Sequence, residues 1–188
     1  MKKFALIFSL SIMTLGMSGC ISIPPLDFTP ADITFSQEKI PAEAKSVNVA
    51  YAKKEESMGD IDVGPTGSSS EGDNFLNAYQ RGLSSAIDQS GLFMDNADMK
   101  IAVYATILKF DTPPLSIHFK TECISRYRLQ NRATGEIILD ETISSTGEVP
   151  GDYAFAGITR AIEARNRSIR NNISKFIDVL KESSLVKH

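Results

Sequence analysis

The sequence has few of the residues that hold metal ions or activate nucleophiles in enzymes. Only two histidines occur, His118 and His188, and no pair stands at metal-ligand spacing. No serine lies in a G-x-S-x-G motif, the turn on which α/β-hydrolases hold their nucleophile. These absences argue against a zinc site and against serine-based hydrolysis, and we expect no cofactor.

Long apolar runs are also scarce, since only one occurs and it lies at the N-terminus. Lys2 and Lys3 give a positive start, and residues 4–17 are uncharged and almost wholly apolar or small. This run is shorter than the roughly 20 residues that a membrane-spanning helix needs. Its pattern is typical of a secretory signal peptide. We therefore expect residues 1–19 to be removed, and no transmembrane helix in the remainder.

Cysteine is nearly absent, and one of the two cysteines directly follows that signal. Met17-Ser18-Gly19-Cys20 resembles the bacterial lipobox, although Met17 stands where the motif prefers leucine. The resemblance implies cleavage between Gly19 and Cys20 and several acyl chains on Cys20, which suffice for stable anchoring. The residue after the cysteine is Ile21 and not an aspartate, and in Gram-negative lipoproteins this further implies sorting to the outer membrane, with the domain on the periplasmic face. The alternative is an ordinary signal peptide with an incidental cysteine.

Charge and cysteine content limit the partners and the disulfide bonds that the chain can have. The formal net charge is −3, and removal of Lys2 and Lys3 makes the mature chain more acidic still. An acidic exported chain argues against nucleic acid as a partner. Once Cys20 is lipidated, Cys123 has no cysteine to pair with, so the domain must be held by its core alone.

Residues 20–45 are predicted to form the lipidated cysteine and a tether. Their prolines, which interrupt regular helices and strands, are Pro24, Pro25, Pro30 and Pro41. The segment also carries large apolar residues in pairs spaced by two: Leu26, Phe28, Ile33 and Phe35. An inert spacer rarely carries such residues, so we expect part of the tether to dock on the domain.

Residues 46–188 are predicted to form one α+β periplasmic domain with the order β-α-β-β-β-α. The pattern of β-formers predicts strands at 47–52, 99–110, 117–130 and 136–146. Helical spacing of apolar residues predicts one helix from Asp73, as N-cap, to Gly91 and another over 154–183. A four-stranded twisted sheet with two helices packed on one face satisfies this order.

The second predicted strand has apolar residues on both faces. Ile101, Val103 and Ile107 alternate with Tyr104, Leu108 and Phe110. Helices can cover only one face, so the tether, a partner or a lipid must cover the other. Docking of the tether on this strand would explain both features together.

Two features of the sequence resemble a calcium site and a reactive thiol but have simpler structural explanations. Asp60, Asp62 and Glu71 match acidic positions of a calcium-binding loop. Pro65 stands where such loops need a glycine, so an acidic, solvated loop is the better interpretation. Cys123 alternates with core residues, which predicts a buried and unreactive thiol.

The last predicted helix carries charges that need explanation. Arg165 falls within the apolar stripe, so it either pairs with Glu141 or extends its head group to the edge of the sheet. The basic residues of the opposite side are Arg160, Arg167, Arg170, Lys175 and Lys181. They form either a solvated face or a docking surface for an acidic partner or lipid headgroups.

Three stretches carry a family resemblance: ILKFDTPP, YRLQNRATGEIILDETISSTGEVP and DYAFAGITRAIEARNRSIRNNISKFI. Together they resemble a family of small, uncharacterised proteobacterial outer-membrane lipoproteins. The α+β layout is also similar, as a fold-level analogy, to the auxiliary lipoproteins of ABC-type envelope transport systems. Neither resemblance implies catalytic residues. Some members of the first family bear a sugar-nucleotide acyltransferase label, but the hexapeptide repeats of those enzymes are absent here.

These features predict a non-enzymatic, membrane-anchored lipoprotein, an accessory or assembly subunit with a protein partner in the envelope. An alternative is a module that binds a lipid or another small apolar ligand between sheet and tether. A closed apolar pocket would favour that alternative, whereas an open surface would favour a protein partner. The best case for an enzyme would be a cleft that gathers Asp111, Glu122, Arg126 and His118.

Overall fold

The computed structural model describes residues 24–62, 69–111 and 119–186. Over these ranges the regular elements follow the order β-α-β-β-β-α, which confirms the predicted α+β class. They are β1 (Glu43–Tyr51), α1 (Ser69–Ser90), β2 (Lys100–Asp111), β3 (Phe119–Asn131), β4 (Ile137–Val149) and α2 (Gly157–Glu182).

The four strands form one sheet in the spatial order β1-β2-β3-β4. β1 runs parallel to β2, and α1 supplies the crossover that a parallel pair requires. β2, β3 and β4 are antiparallel neighbours. β1, β2 and β4 therefore all end at one end of the sheet, and both helices begin there. Below, this is called the α2-start end.

Both helices pack on the same face of the sheet. Phe75 of α1 meets Phe110 of β2 edge to face, with ring centres 4.8 Å apart. Tyr127 of β3 stacks on Phe176 of α2 at 4.1 Å. These four rings are fully buried, and each such side chain is worth roughly 1.5–3 kcal/mol of burial free energy.

A β-bulge in β2 changes which residues face the core. The register shifts between Ile107 and Lys109, so that Phe110 pairs with Cys123 on the helix-covered face and is fully buried. Strict alternation had placed Phe110 with Tyr104 on the opposite face, and that expectation is wrong because the bulge adds one residue. The outer face of the sheet is therefore less apolar than predicted.

The starts of α1, β1 and α2 differ from the predicted ones by three or more residues. α1 begins at Ser69, so Asp73 lies inside the helix and is not its N-cap. β1 begins at Glu43, because the backbone pairs with Lys100 of β2 from that point. α2 begins at Gly157, and Ile158, expected within the buried stripe, is 37% exposed.

Arg165 does not pair with Glu141. Glu141 is exposed on β4, whereas the Arg165 side chain is buried and its Nη2 lies 3.7 Å from Oδ2 of Asp62. The buried guanidinium thus meets a carboxylate from the segment that follows β1, as a buried charge requires.

Candidate functional site

The segment that follows the predicted lipidation position is docked on the helices. Phe28 is only 1% exposed and packs edge to face against Phe75 and Tyr79 of α1, with ring centres 5.0 and 6.1 Å apart. Docking of the tether is therefore confirmed, but its predicted surface is wrong. Phe28 enters the aromatic core on the helix side, and the outer face of β2 is not its partner.

Polar contacts with α2 fix the first residues of this segment. The Asn166 side chain donates Nδ2–H to the carbonyl of Pro25 at 3.1 Å and accepts the N–H of Asp27 at 3.3 Å. Arg170 Nη2 lies 3.2 Å from Asp27 Oδ2. Asn166 is buried, so its two bonds to the segment are partly shielded from water and hold the backbone in one place.

A glycine in α1 allows the close approach. A Cβ atom at Gly82 would lie 2.6 Å from the carbonyl oxygen of Phe28, a distance that real Cβ atoms do not show. Further along, Ser36 N–H donates to Ser90 O and Ile40 N–H donates to Leu92 O. Leu26 and Ile33 pack partly buried against the core, whereas Phe35 is 57% exposed.

The predicted basic residues of α2 all make contacts within the chain. Arg167 Nη1 and Lys175 Nζ donate to the carbonyls of Glu148 and Ser144 on β4, at 2.9 and 2.8 Å. Arg160 Nη1 donates to the carbonyls of Gly151 and Ala154 at 2.8 and 2.9 Å. Arg170 contacts Asp27 as described. Whether these four residues also dock a partner stays a prediction.

A cluster of polar side chains is buried between α1, α2 and the sheet. The hydroxyl oxygens of Tyr79 and Tyr127 lie 2.7 Å apart, and both lie within 3.1 Å of Asn172 Oδ1. Asn172 Nδ2 donates to the carbonyl of Ile143 at 3.0 Å. Burial raises the pKa of both tyrosines well above its ordinary value. These fully buried groups do not meet a substrate, and they fix α2 in register on the sheet.

Cys123 behaves as the alternation predicts. It is fully buried, and burial raises the pKa of its thiol to about 12. The thiolate, which is the reactive form, is therefore scarce at neutral pH. Cys123 is a core residue and not a nucleophile.

Three of the residues proposed for an enzyme's best case are described: Asp111 stands opposite Glu122 in the sheet, and Glu122 and Arg126 each bind a different neighbouring side chain. Glu122 accepts a hydrogen bond from Lys109 Nζ at 2.7 Å. Arg126 binds Asp140 through Nε and Nη2, at 2.6 and 2.5 Å. Both pairs lie on the outer face of the sheet, and Arg126 and Asp140 also line an open groove with other charged and polar side chains. His118 lies outside the described residues.

Other predicted positions also fall outside the described ranges. They are Gly19, Cys20, Pro65 and His188. Within the described ranges, no group of three or more acidic, histidine or cysteine side chains could hold a metal ion. No helix among these residues has the length and apolar character needed to cross a bilayer.

Sequence reasoning missed two of the residues that organise this region. Asn172 is a polar residue between Ile169 and Ile173 in the buried stripe of α2, and that interruption was the available signal. Gly82 lies within the apolar repeat of α1, where a glycine costs helix stability and therefore suggests a close contact.

No family model matches the chain, and no curated protein matches it. Among solved structures, a Xanthomonas campestris protein of family DUF330 is 11% identical, with a TM-score of 0.51 over 83% of this chain and 91% of that one. A candidate lipoprotein from Caulobacter crescentus is 11% identical over 71% and 86% of the two chains, with a TM-score of 0.43. A minor lipoprotein from Acinetobacter baumannii is 8% identical over 72% and 91%, with a TM-score of 0.42. The likeness to the Xanthomonas protein shows a shared fold.

Proposed function

We propose that this chain is a bacterial envelope lipoprotein, anchored through acyl chains on Cys20. Its domain acts as a non-enzymatic accessory or assembly subunit at the periplasmic face of the outer membrane. The observation that carries the proposal is the docked segment directly after the predicted anchor. Because the chain is fixed to its own domain from Pro25 onward, acyl chains on Cys20 would hold that domain close to the membrane.

The surfaces described above support a protein partner more than a small ligand. The groove beside Leu108 and Met58 is open, and charged residues such as Arg126, Arg128 and Asp140 line it. An apolar ligand needs an enclosed apolar site to be buried. An open, mixed polar surface is typical of protein–protein contacts.

The anchor is tested by metabolic labelling with a clickable fatty acid in cells that make the full-length protein. We expect the label on the wild type and its loss in Cys20→Ala, which should move from the membrane to the soluble periplasmic fraction. Cys123→Ala is the matched control, because it removes the other cysteine and should keep the label. A Cys20→Ala protein that still pellets with membranes after a salt wash would contradict the proposal.

The accessory role is tested with a photo-crosslinking amino acid at Tyr104 on the outer face of the sheet, in intact cells. We expect a discrete crosslinked product that contains a second envelope protein. A crosslinker at Gln80, exposed on α1, is the control for random collisions. Identical products from both positions, or none from Tyr104, would contradict a partner on the sheet.

A further inference from the structure

The anchor leaves little free chain before the docked segment. Five Cα–Cα steps separate Cys20 from Pro25, whose carbonyl is already bound by Asn166. Fully extended, they span at most about 18 Å. The lipidated end therefore stays close to α2, far nearer than a free tether of 25 residues would allow.

The direction of the docked segment shows which part of α2 the anchor approaches. Pro25 contacts Asn166, and Asp27 contacts both Asn166 and Arg170, one turn further along the helix. Followed backward, the chain thus runs toward the N-terminal end of α2. Asn166 lies nine residues after Gly157, roughly 14 Å along the axis, so Cys20 can reach the α2-start end.

This end carries an exposed apolar group. Phe155 is fully exposed, and Tyr153 and Ile158 are 47% and 37% exposed. Tyr153 and Phe155 lie in the loop before α2, and Ile158 lies in its first turn, three to five positions further along the chain. Clustered exposed apolar residues on a folded domain indicate a contact with another apolar phase or molecule.

The loop is held in its exposed conformation from within the chain. Arg160 Nη1 binds the carbonyls of Gly151 and Ala154, and its guanidinium lies 5.7 Å from the centre of the Phe119 ring. The Arg167 guanidinium lies 5.2 Å from the centre of the Tyr153 ring. These contacts display Phe155 outward without covering it.

We propose that the loop with Tyr153, Phe155 and Ile158 contacts the lipid bilayer and seats the domain with its α2-start end against the membrane. This inference rests on the proposed anchoring through Cys20. Tyrosine favours the interface between headgroups and acyl chains, and phenylalanine and aliphatic side chains enter the acyl boundary below it. The short free segment keeps this loop within reach of that interface. The exposed aromatic and aliphatic side chains make the contact, since Arg160 and Arg167 are engaged inside the protein.

The sequence has no tryptophan, so a single substitution creates a unique fluorescent probe. The test uses full-length Phe155→Trp, purified from bacterial membranes and placed in vesicles of phosphatidylethanolamine and phosphatidylglycerol with or without brominated acyl chains. Phe35→Trp is the matched control, because Phe35 is also exposed but lies near Gly91 at the other end of the domain. We expect brominated lipid to quench Phe155→Trp strongly, with a blue-shifted emission, and to leave Phe35→Trp nearly unchanged.

Flotation of the vesicles and fatty-acid labelling of Cys20 are measured on the same samples. A labelled protein that floats but shows no quenching at Phe155→Trp overturns this inference and leaves the anchor intact. An unlabelled protein that does not float and shows no quenching overturns both proposals. A blue shift without quenching by brominated lipid places the loop against protein and overturns the bilayer assignment.

Discussion

Phe28 is the side chain on which docking of the N-terminal segment most depends. It buries a whole ring between Phe75 and Tyr79, so Phe28→Ala should lower the free energy of unfolding by about 3–5 kcal/mol. Phe35→Ala, in the same segment but 57% exposed, should cost less than about 1 kcal/mol. Urea denaturation of the two variants measures the difference, and equal losses would contradict the docked conformation.

Gly82 tests the same contact from the side of α1. Alanine normally stabilises a helix interior by about 1 kcal/mol relative to glycine. At position 82 the new methyl group would collide with the backbone of Phe28, and overpacking costs about 1–3 kcal/mol. Gly82→Ala should therefore be net destabilising and should make residues 24–35 more sensitive to protease.

Gly72 is the matched control in the same helix. A Cβ there meets only the Tyr51 side chain, at 3.7 Å, which is ordinary contact. Gly72→Ala should leave stability unchanged or raise it by up to about 1 kcal/mol. A Gly82→Ala protein as stable as Gly72→Ala would show that the docked segment can move away from α1 without a loss in the free energy of unfolding.

Cys123 gives a prediction about pH. Because burial raises the pKa of its thiol to about 12, alkylation of the native protein should stay slow between pH 7 and 9. In urea the thiol regains an ordinary pKa, near 8.5, and the rate should rise steeply over the same range. The measurement uses Cys20→Ala, so that only Cys123 reacts. Rapid labelling of the native form would instead show an exposed thiol.

Individual residues differ in how far the sequence identified their roles. Cys123 and Tyr127 follow a clean alternation in β3, so their burial could be predicted. Phe110 could not be placed, because a bulge reverses the alternation and leaves no mark in composition. The role of Asn172 could not be predicted, because its hydrogen-bond partners come from other elements. The sequence does not reveal which residues those are.

Side chains from α2 bind the backbone carbonyls along the edge of β4 that does not pair with β3. Arg167, Asn171 and Lys175 donate to the carbonyls of Glu148, Thr146 and Ser144, at 2.8–2.9 Å. Four helical residues advance about 6.0 Å and two strand residues about 6.6–6.8 Å. The two spacings nearly coincide, so successive turns of α2 meet successive outward carbonyls.

The hydrogen bonds from α2 to the edge of β4 lead to a prediction about self-association. An open strand edge is a template for pairing with another chain. The triple variant Arg167→Ala, Asn171→Ala, Lys175→Ala should keep the fold and form dimers or larger species, as measured by sedimentation velocity. Lys53→Ala with Lys54→Ala is the control, since it removes the same number of positive charges from exposed positions. A triple variant that stays monomeric would show that the edge is protected in another way.

The order of the helices and strands was easier to predict than the residues at which they begin and end. Apolar periodicity sets the order β-α-β-β-β-α because each element must bury one side. The predicted start of α1, directly after Asp73 as N-cap, is five residues late, since a good capping residue can also stand inside a helix. The start of β1 depends on pairing with Lys100, a contact made across the whole length of α1.

The protein as a folded unit should include the docked segment. A soluble chain that begins at Ser22 should unfold at a higher urea concentration than one that begins at Glu43. The shorter chain loses the burial of Phe28, Ile40 and Ala42 and uncovers the aromatic core between the helices. It should bind a hydrophobic dye, whereas the longer chain should not. Equal midpoints without dye binding would mean that the segment is a free spacer.

The sequence indicated that this segment docks but not where. Alternation of Leu26, Phe28, Ile33 and Phe35 identifies an extended chain with an apolar side. The surface it meets depends on Gly82 and Asn166, which come from two helices far apart in the chain. Such a site exists only after the tertiary structure has formed.

The bond between Asp27 and Arg170 joins residues that are 143 positions apart. Arg170 belongs to α2, which follows all four strands along the chain, so this contact forms only after α2 has been synthesised. Closing so long a loop is entropically costly early in folding and adds little once the sheet is formed. The docked segment is therefore held at Asp27 only late, after α2 has been synthesised and packed on the sheet.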